Sequence, residues 1–285
     1  MSSPGAGRAT SSPVISFVTD YGLRDGFVGV CHGVIACACP QARVIDLTHE
    51  LSLHDVHSGA LVLASSIEYL PDGAVHLAVV DPGVGTARRA VAVLGRSGAR
   101  FVGPDNGLLE PAVAASGGAA EAVEITRSPF ALAGVSATFH GRDVFAPVAA
   151  ALAAGRSLSE VGEPIEPTTL MTLDRTHATR EDRTLVAHVQ YVDQFGNLQL
   201  DANPGDIAWV ADAGQVAVAS AAWDRPALAV QHGVTFADVA TGELVLYQDG
   251  HRRPAIAVNR GSAAERLGLG VGDELRIAPV ADAPE

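Results

Sequence analysis

The chain reads as an α/β protein: an N-terminal, mostly parallel sheet sandwiched by helices, followed by a smaller C-terminal β-barrel. Three observations predict this. Apolar strand-like runs alternate with helix-length segments from Val14 to about Ala154, which is the signature of βαβ units. Three of those runs end in short polar motifs, where open α/β sheets bind ligands. Beyond Thr184 the apolar runs become short and are punctuated by Gly, Asp and Asn at turn positions.

Taken in order, Met1–Pro13 is rich in Ser, Gly and Ala, lacks the apolar core of a signal peptide and is expected to be a disordered tail. Val14–Val18 is the first buried strand. Asp25–Cys39 follows as a helix that Pro40 stops. Arg43–Leu47 is the second strand, and His54–Leu70 has helical length until Pro71-Asp72-Gly73 ends it. Val75–Val80, Arg89–Leu94 and Arg100–Val102 are further strands, and Asp143–Ala154 is a small-residue helix closed by Gly155. The first domain is therefore expected over 14–165. The Pro-rich and then charged stretch 166–183 reads as a linker. Residues 184–285 form the barrel domain, with strands at Thr184–Val192, Leu198–Leu200, Gln215–Ala219, Leu244–Tyr247, Ala255–Asn259 and Glu274–Ile277. No internal repeat and no phosphate-binding P-loop occurs. Gly83-Val84-Gly85 lacks the third glycine of a dinucleotide fingerprint.

Composition narrows the class. At 285 residues with 48% hydrophobic and 18% charged content, the chain can bury two ordinary cores. A net charge of −13 with no basic stripe argues against nucleic-acid binding. No apolar run reaches the length of a membrane span. The three cysteines, Cys31, Cys37 and Cys39, crowd into one predicted helix, so they read as buried thiols in a reducing cytoplasm and not as a disulfide framework. His49, His54 and His57 suggest a metal, with His54 and His57 one helical turn apart, but no acidic or cysteine set completes a site. No metal is expected.

The polar motifs are Phe17-Val18-Thr19-Asp20-Tyr21-Gly22, Asp46-Leu47-Thr48-His49, Val80-Asp81-Pro82-Gly83-Val84-Gly85-Thr86 and Phe139-His140-Gly141-Arg142-Asp143. On these residues the chain resembles the S-adenosylmethionine (SAM) hydroxide adenosyltransferases, the adenosine-forming SAM hydrolases. Fluorinating and chlorinating enzymes that attack the same substrate with a halide are relatives of that family. The resemblance runs from Val14 to about Ile277 and implies an α/β domain plus a barrel, no cofactor beyond the small-molecule substrate, and a homotrimer with active sites between subunits. It implies a water-activating trio of Asp81, Arg88 and His140. It places Asp20 on the ribose hydroxyls and Asp25 toward the methionine ammonium. In the barrel it implies Phe195 stacking on adenine, Asn197 bonding the base edge, and a contact from Asn259 or Arg260, between which the resemblance does not choose. The halide enzymes carry a tyrosine where Asp81 stands, a threonine where Val84 stands, and the fluorinating enzyme a serine where Gly141 stands. A carboxylate there would repel a halide and suits polarising water.

The chemistry is consistent with these residue types. A sulfonium departs as a neutral thioether, so the task is to hold one water in line with the 5′-carbon, and a positioned base can then take its proton. Asp81 and His140 both qualify as acceptor, and Arg88 as the group that orients Asp81 through two parallel hydrogen bonds. A carboxylate suits two ribose hydroxyls, and an aromatic face with an amide edge suits adenine.

Each residue also has a plainer reading. Asp20 can be a helix cap or turn residue, Asp81 the start of an Asp-Pro-Gly turn, and His140 a satisfied core histidine at a helix start. Arg88 can be half of a solvated pair with Arg89. Phe195-Gly196-Asn197 can be a hairpin turn, and Asp105-Asn106-Gly107 a tight turn near the pocket mouth. The competing functions are a halide-using adenosyltransferase and a non-catalytic SAM or adenosine sensor. A methyltransferase lacks its Gly-rich loop here.

Overall fold

The computed structural model describes residues 12–280, so the expected tail lies largely outside the described residues. Packing divides the chain into two units at Asp174/Arg175.

The first unit is built on seven strands: β1 (Val14–Thr19), β2 (Arg43–Thr48), β3 (Val75–Val79), β4 (Ala90–Gly95), β5 (Arg100–Pro104), β6 (Ala119–Glu124) and β7 (Glu163–Ile165). Their order in the sheet is β2-β1-β3-β5-β4-β6-β7. β2, β1, β3 and β5 are parallel, whereas β4, β6 and β7 pair antiparallel, so the parallel character is confined to the half that carries the polar motifs. Strand alternation sends side chains to two cores. Ile15, Phe17, Val75, Leu77 and Val79 face helices α1 (Phe27–Ala38) and, farther along the chain, α4 (Ala146–Ala153). Val18, Ala78, Val80, Val91 and Val93 face α2 (Val56–Ser66) and α3 (Glu110–Ala115). Within the sheet, buried Ser16 meets His76 at 2.9 Å, and burial pushes that imidazole down to about 4.

The strand order explains the site's location. From β1 the chain first adds β2 on one side and then β3 on the other, so the crossovers diverge at β1. The crevice beyond the carboxyl ends of β1 and β3 is the topological switch point. Thr19 pairs with Val79 there, which brings Asp20 and Asp81 out of the sheet side by side.

Two helical expectations shift. The second helix begins at Val56, with Asp55 capping it through Ser58 N–H at 2.9 Å, so His54 lies outside it with φ 67 and does not share a helical face with His57. The helix expected from Asp143 is preceded by a π-turn over Gly141–Phe145 and proceeds as α4. β6 escaped the sequence reading because Ala-Ala-Glu-Ala-Val-Glu has weak strand propensity; pairing with β4 and β7 imposes the extended form. Cys31 and Cys39 are buried as expected, with Cys31 pushed up to about 12 by desolvation, but Cys37 is exposed.

The second unit is a closed seven-strand ring with one added edge strand. In chain order the strands are β8 (Thr179–Glu181), β9 (Thr184–Val192), β10 (Leu198–Leu200), β11 (Gln215–Ala219), β12 (Leu228–His232), β13 (Leu244–Gln248), β14 (Pro254–Val258) and β15 (Glu274–Pro279). The run β10-β14-β13-β12-β11-β15-β9 closes through a β9–β10 pairing, and β8 adds to β9. Leu185, Ala187 and Val189 alternate into the barrel core, as a half-buried strand requires. β8 and β12 were not legible in the sequence. The 166–183 stretch straddles the division: Met171 N–H bonds Asp105 of the first unit, while Thr179–Glu181 pairs into the barrel. No described helix is long and apolar enough to cross a membrane.

Candidate active site

The loop after β3 folds back sharply. Val84 N–H bonds Asp81 O at 3.2 Å, Thr86 N–H bonds Gly83 O at 3.1 Å, and the Thr86 hydroxyl donates to the same carbonyl at 2.7 Å. Gly85 has φ 78, and a Cβ there would lie 2.5 Å from Ala137 O, so only glycine fits the turn. The turn delivers Arg88 onto Asp81. Arg88 Nε donates to Asp81 Oδ1 at 3.0 Å while Nη2 donates to Oδ2, a two-point grip. Nη2 also donates to His140 Nδ1 at 3.2 Å, and Nη1 to Arg89 O at 3.0 Å. Arg88 and Asp81 side chains are only 8% and 6% exposed, so this is a buried pair. Arg89 faces the other way, onto Asp105 and Thr169, which separates the two adjacent arginines by role.

Electrostatics follow from burial. Desolvation raises the Asp81 carboxyl above the ordinary aspartate range, and the Arg88 guanidinium pulls against it. Desolvation lowers His140, and the nearby guanidinium lowers it further, so the imidazole is neutral at pH 7. An arginine can only donate. His140 Nδ1 is therefore the acceptor of the Arg88 bond, and the neutral ring carries its proton on Nε2. That tautomer makes His140 a donor toward the pocket and leaves Asp81 as the proton acceptor.

Asp20, at the end of β1, is buried, and its Oδ2 accepts from His54 N–H at 2.9 Å. Asp20, Tyr21, Asp81, Val84, His140 and Gly141 line one cleft, with Phe27 and Leu53 at its apolar edge. Phe139 meets Tyr21 and Phe27 edge to face with centroids 5.8 and 5.2 Å apart, and Tyr21 and Phe27 are tilted against each other at 6.0 Å. Asp25 is exposed just before α1 and is not among the groups lining this cleft.

The structure adds two groups that sequence reasoning passed over. Asn106 donates from Nδ2 to Val80 O at 2.9 Å, bracing the strand end that carries Asp81. Tyr21 places its hydroxyl against Gly141, where a Cβ would fall 2.0 Å from the phenol oxygen. Burial raises the Tyr21 phenol well above its usual value, so it stays protonated. Gly141→Ala is expected to abolish most activity by expelling the Tyr21 ring from the cleft. Combining it with Tyr21→Phe removes the colliding oxygen and should recover part of the rate, measured by steady-state assay.

In the second unit, Asp193 organises the β9–β10 tip. Its Oδ1 accepts from Phe195 N–H and Asn197 N–H, each at 2.9 Å, and its Oδ2 accepts from Asn197 Nδ2 at 2.8 Å. That leaves Phe195 68% exposed and the Asn197 side-chain carbonyl free to accept. Gly196 has φ 78 and abuts Ser262, and its carbonyl accepts from Ala264 N–H at 2.9 Å, so this tip packs on the 259–264 segment. Asn259 Nδ2 is occupied by Val239 O at 2.8 Å, whereas Arg260 is exposed with φ 61. An Asp two residues before Phe-Gly-Asn is the Asx-turn signal that could have flagged Asp193.

Comparison with known proteins gives a consistent picture. The profile described as SAM hydroxide adenosyltransferase N-terminal domain matches residues 15–162, and that for the C-terminal domain matches residues 187–276. The chain is 50% identical over 266 residues to an (R)-S-adenosyl-L-methionine hydrolase of Salinispora tropica, covering 93% of this chain and 98% of that protein. A fluorinase of an Actinoplanes species is 28% identical over 223 residues, covering 70% of this chain and 74% of that one. A crystal structure of an uncharacterized conserved protein from Thermotoga maritima superposes with TM-score 0.85 at 36% identity, covering 93% of this chain and 99% of that one.

Proposed function

This chain belongs to the SAM hydroxide adenosyltransferase family, and from that premise we propose that it is an (R)-S-adenosyl-L-methionine hydrolase, releasing adenosine and L-methionine. The observation that carries the reading is the buried Asp81–Arg88–His140 constellation beside Asp20 in one cleft. A water held by His140 Nε2–H and Asp81 attacks the 5′-carbon opposite the sulfur. A C–O bond forms as the C–S bond breaks, the electron pair leaves on sulfur as the neutral thioether of methionine, and the water's proton passes to Asp81. Holding that geometry is worth about 7–11 kcal/mol, and the base about 10²–10⁴-fold more. No cofactor enters, because the substrate carries its own leaving group.

Asp20 is assigned to the ribose hydroxyls, and Phe195 with Asn197 to adenine, Asn197 accepting from the exocyclic amine. Arg260 has no side-chain partner among the described residues, whereas Asn259 Nδ2 is held by Val239 O, so Arg260 is the one assigned to a substrate contact. Asp25, exposed and not among the groups lining the cleft, is assigned to the methionine ammonium on the family resemblance alone. A halide enzyme fits less well, since Asp81 and His140 already occupy the Arg88 guanidinium and leave it no free charge for an anion. A sensor has no use for a buried base.

The purified protein is expected to convert SAM to adenosine and methionine without halide, and in ¹⁸O-water to label the adenosine 5′-hydroxyl. Preferential formation of a 5′-halo product when chloride is supplied, or unlabelled adenosine, would reject the assignment.

The family resemblance further supports a homotrimer whose active sites take residues from neighbouring subunits, a closed ring of heterologous contacts, and the free cysteines Cys31, Cys37 and Cys39 support a reducing, cytoplasmic setting. Mixing an Asp81→Ala subunit with an Asn197→Ala subunit should then restore part of the activity. An active monomer by light scattering, or no gain on mixing, would exclude that assembly.

A further inference from the structure

A second cluster of metal-ligating side chains lies beside the β1 loop, and the trio above does not use it. His32 of α1, Asp46 of β2 and His49 bring one ligand atom each to within 4.8 Å of one another. Both imidazoles converge on a single carboxylate oxygen: His32 Nε2 lies 2.9 Å and His49 Nε2 3.1 Å from Asp46 Oδ1. The two approaches differ. The His32 contact is a hydrogen bond, whereas His49 Nε2 is a buried atom with no hydrogen-bond partner despite its proximity. The His49 side chain is 3% exposed. A buried imidazole nitrogen left unpaired costs free energy unless something else meets it.

Three features prepare this nitrogen for an ion. The opposite ring nitrogen, Nδ1, is 2.8 Å from the Thr19 hydroxyl, which can accept its proton and so leave Nε2 bare toward an ion. The Phe17 ring backs both imidazoles, with centroids 5.9 Å from His32 and 4.8 Å from His49, so one aromatic wall lies behind both donors. His32 and Asp46 are 36% and 43% exposed, which gives an ion an entry path and an open position for water.

We propose that His32, Asp46 and His49 bind one divalent transition-metal ion of the zinc class. The ligands would be His32 Nε2, His49 Nε2 and an Asp46 oxygen, with water completing the shell. Two imidazoles and one carboxylate suit zinc, cobalt or nickel and not calcium or magnesium, which prefer all-oxygen shells. The ion would sit under the loop that carries Asp20. His49 O accepts from Gly22 N–H at 2.7 Å, and His49 Nδ1 holds Thr19, so fixing His49 fixes both flanks of Asp20. The inference stands on the cluster's own geometry and does not depend on the hydrolase reading.

The test is calorimetric titration of the tag-free, chelator-treated full chain with Zn²⁺, paired with Co²⁺ absorption spectra. One ion per chain is expected, with Co²⁺ giving the visible bands of a low-coordinate nitrogen and oxygen site. His32→Ala and Asp46→Asn, both at partly exposed positions, should each weaken binding at least 100-fold. His188→Ala, which removes a His–Asp pair in the barrel, should leave it unchanged. No Zn²⁺ binding by the parent chain would overturn the proposal. So would equal affinity in the His32 and Asp46 variants, or loss of binding only in the His188 variant.

Discussion

Asp81→Asn is expected to lower kcat by about 10²–10⁴-fold while SAM affinity changes little. The amide keeps the shape of the side chain and can still accept from Arg88, but it cannot take a proton from water. His140→Gln should cost less, because a glutamine amide retains a donor toward the pocket. This ordering follows from the tautomer that Arg88 imposes through its bond to His140 Nδ1. The pH profile provides an independent readout. Burial raises Asp81 above the ordinary aspartate range and lowers His140, so the rate should fall on acidification as the Asp81 carboxylate takes up a proton, at a higher pH than an ordinary aspartate would require. That acid limb should survive in His140→Gln and vanish in Asp81→Asn. An equal or larger loss in the histidine variant, with the limb abolished there, would transfer the base to His140.

The second large effect is at Arg88. Arg88→Met should remove nearly all activity and also destabilise the first unit by about 3–5 kcal/mol, the scale for deleting one partner of a buried ion pair. The side chains are almost fully buried, so solvent cannot replace the guanidinium. Without it, the strongest influence opposing the desolvation of Asp81 is gone, only His140 and the Gly83 backbone still oppose it, and the folded-state pKa of Asp81 climbs further. A carboxyl whose folded pKa is raised favours the fold when protonated and loses that contribution as pH rises through the folded value. The destabilisation should therefore shrink as pH falls, because a protonated Asp81 no longer needs a cation. Arg88→Lys should fall between, since an ammonium cannot hold both carboxylate oxygens and His140 together. Denaturant unfolding of parent and variants at pH 5 and pH 7.5 measures this. A pH-independent difference, or none, would show that the pair is not the buried unit described.

Much of this protein is written locally, and the sequence alone determined that part. The α/β-then-barrel class, the strands read at Val14–Val18, Arg43–Leu47 and Val75–Val80, and the polar motifs at their ends follow from hydrophobic period and from turn residues next in the chain. So does the separation of Asp20 and Asp81 from the barrel motif at Phe195-Gly196-Asn197. The tertiary structure alone decided the matters in which distant residues meet. Arg88 and Arg89 are neighbours with identical chemistry; the family resemblance pointed to Arg88, but the Gly85 turn is what physically brings Arg88 and not Arg89 onto Asp81 and His140. β6 and β12 are strands because partners pair with them, not because their residues prefer it. Gly141 reads as an ordinary small residue until the Tyr21 hydroxyl is found in the space its side chain would fill. His49 drew attention in the sequence beside His54 and His57, but the fold discards that pairing and sets it against His32 and Asp46 instead. Local periodicity follows from the backbone geometry of a few residues. Side-chain convergence at a switch point depends on strand order, and no spacing along the chain encodes it.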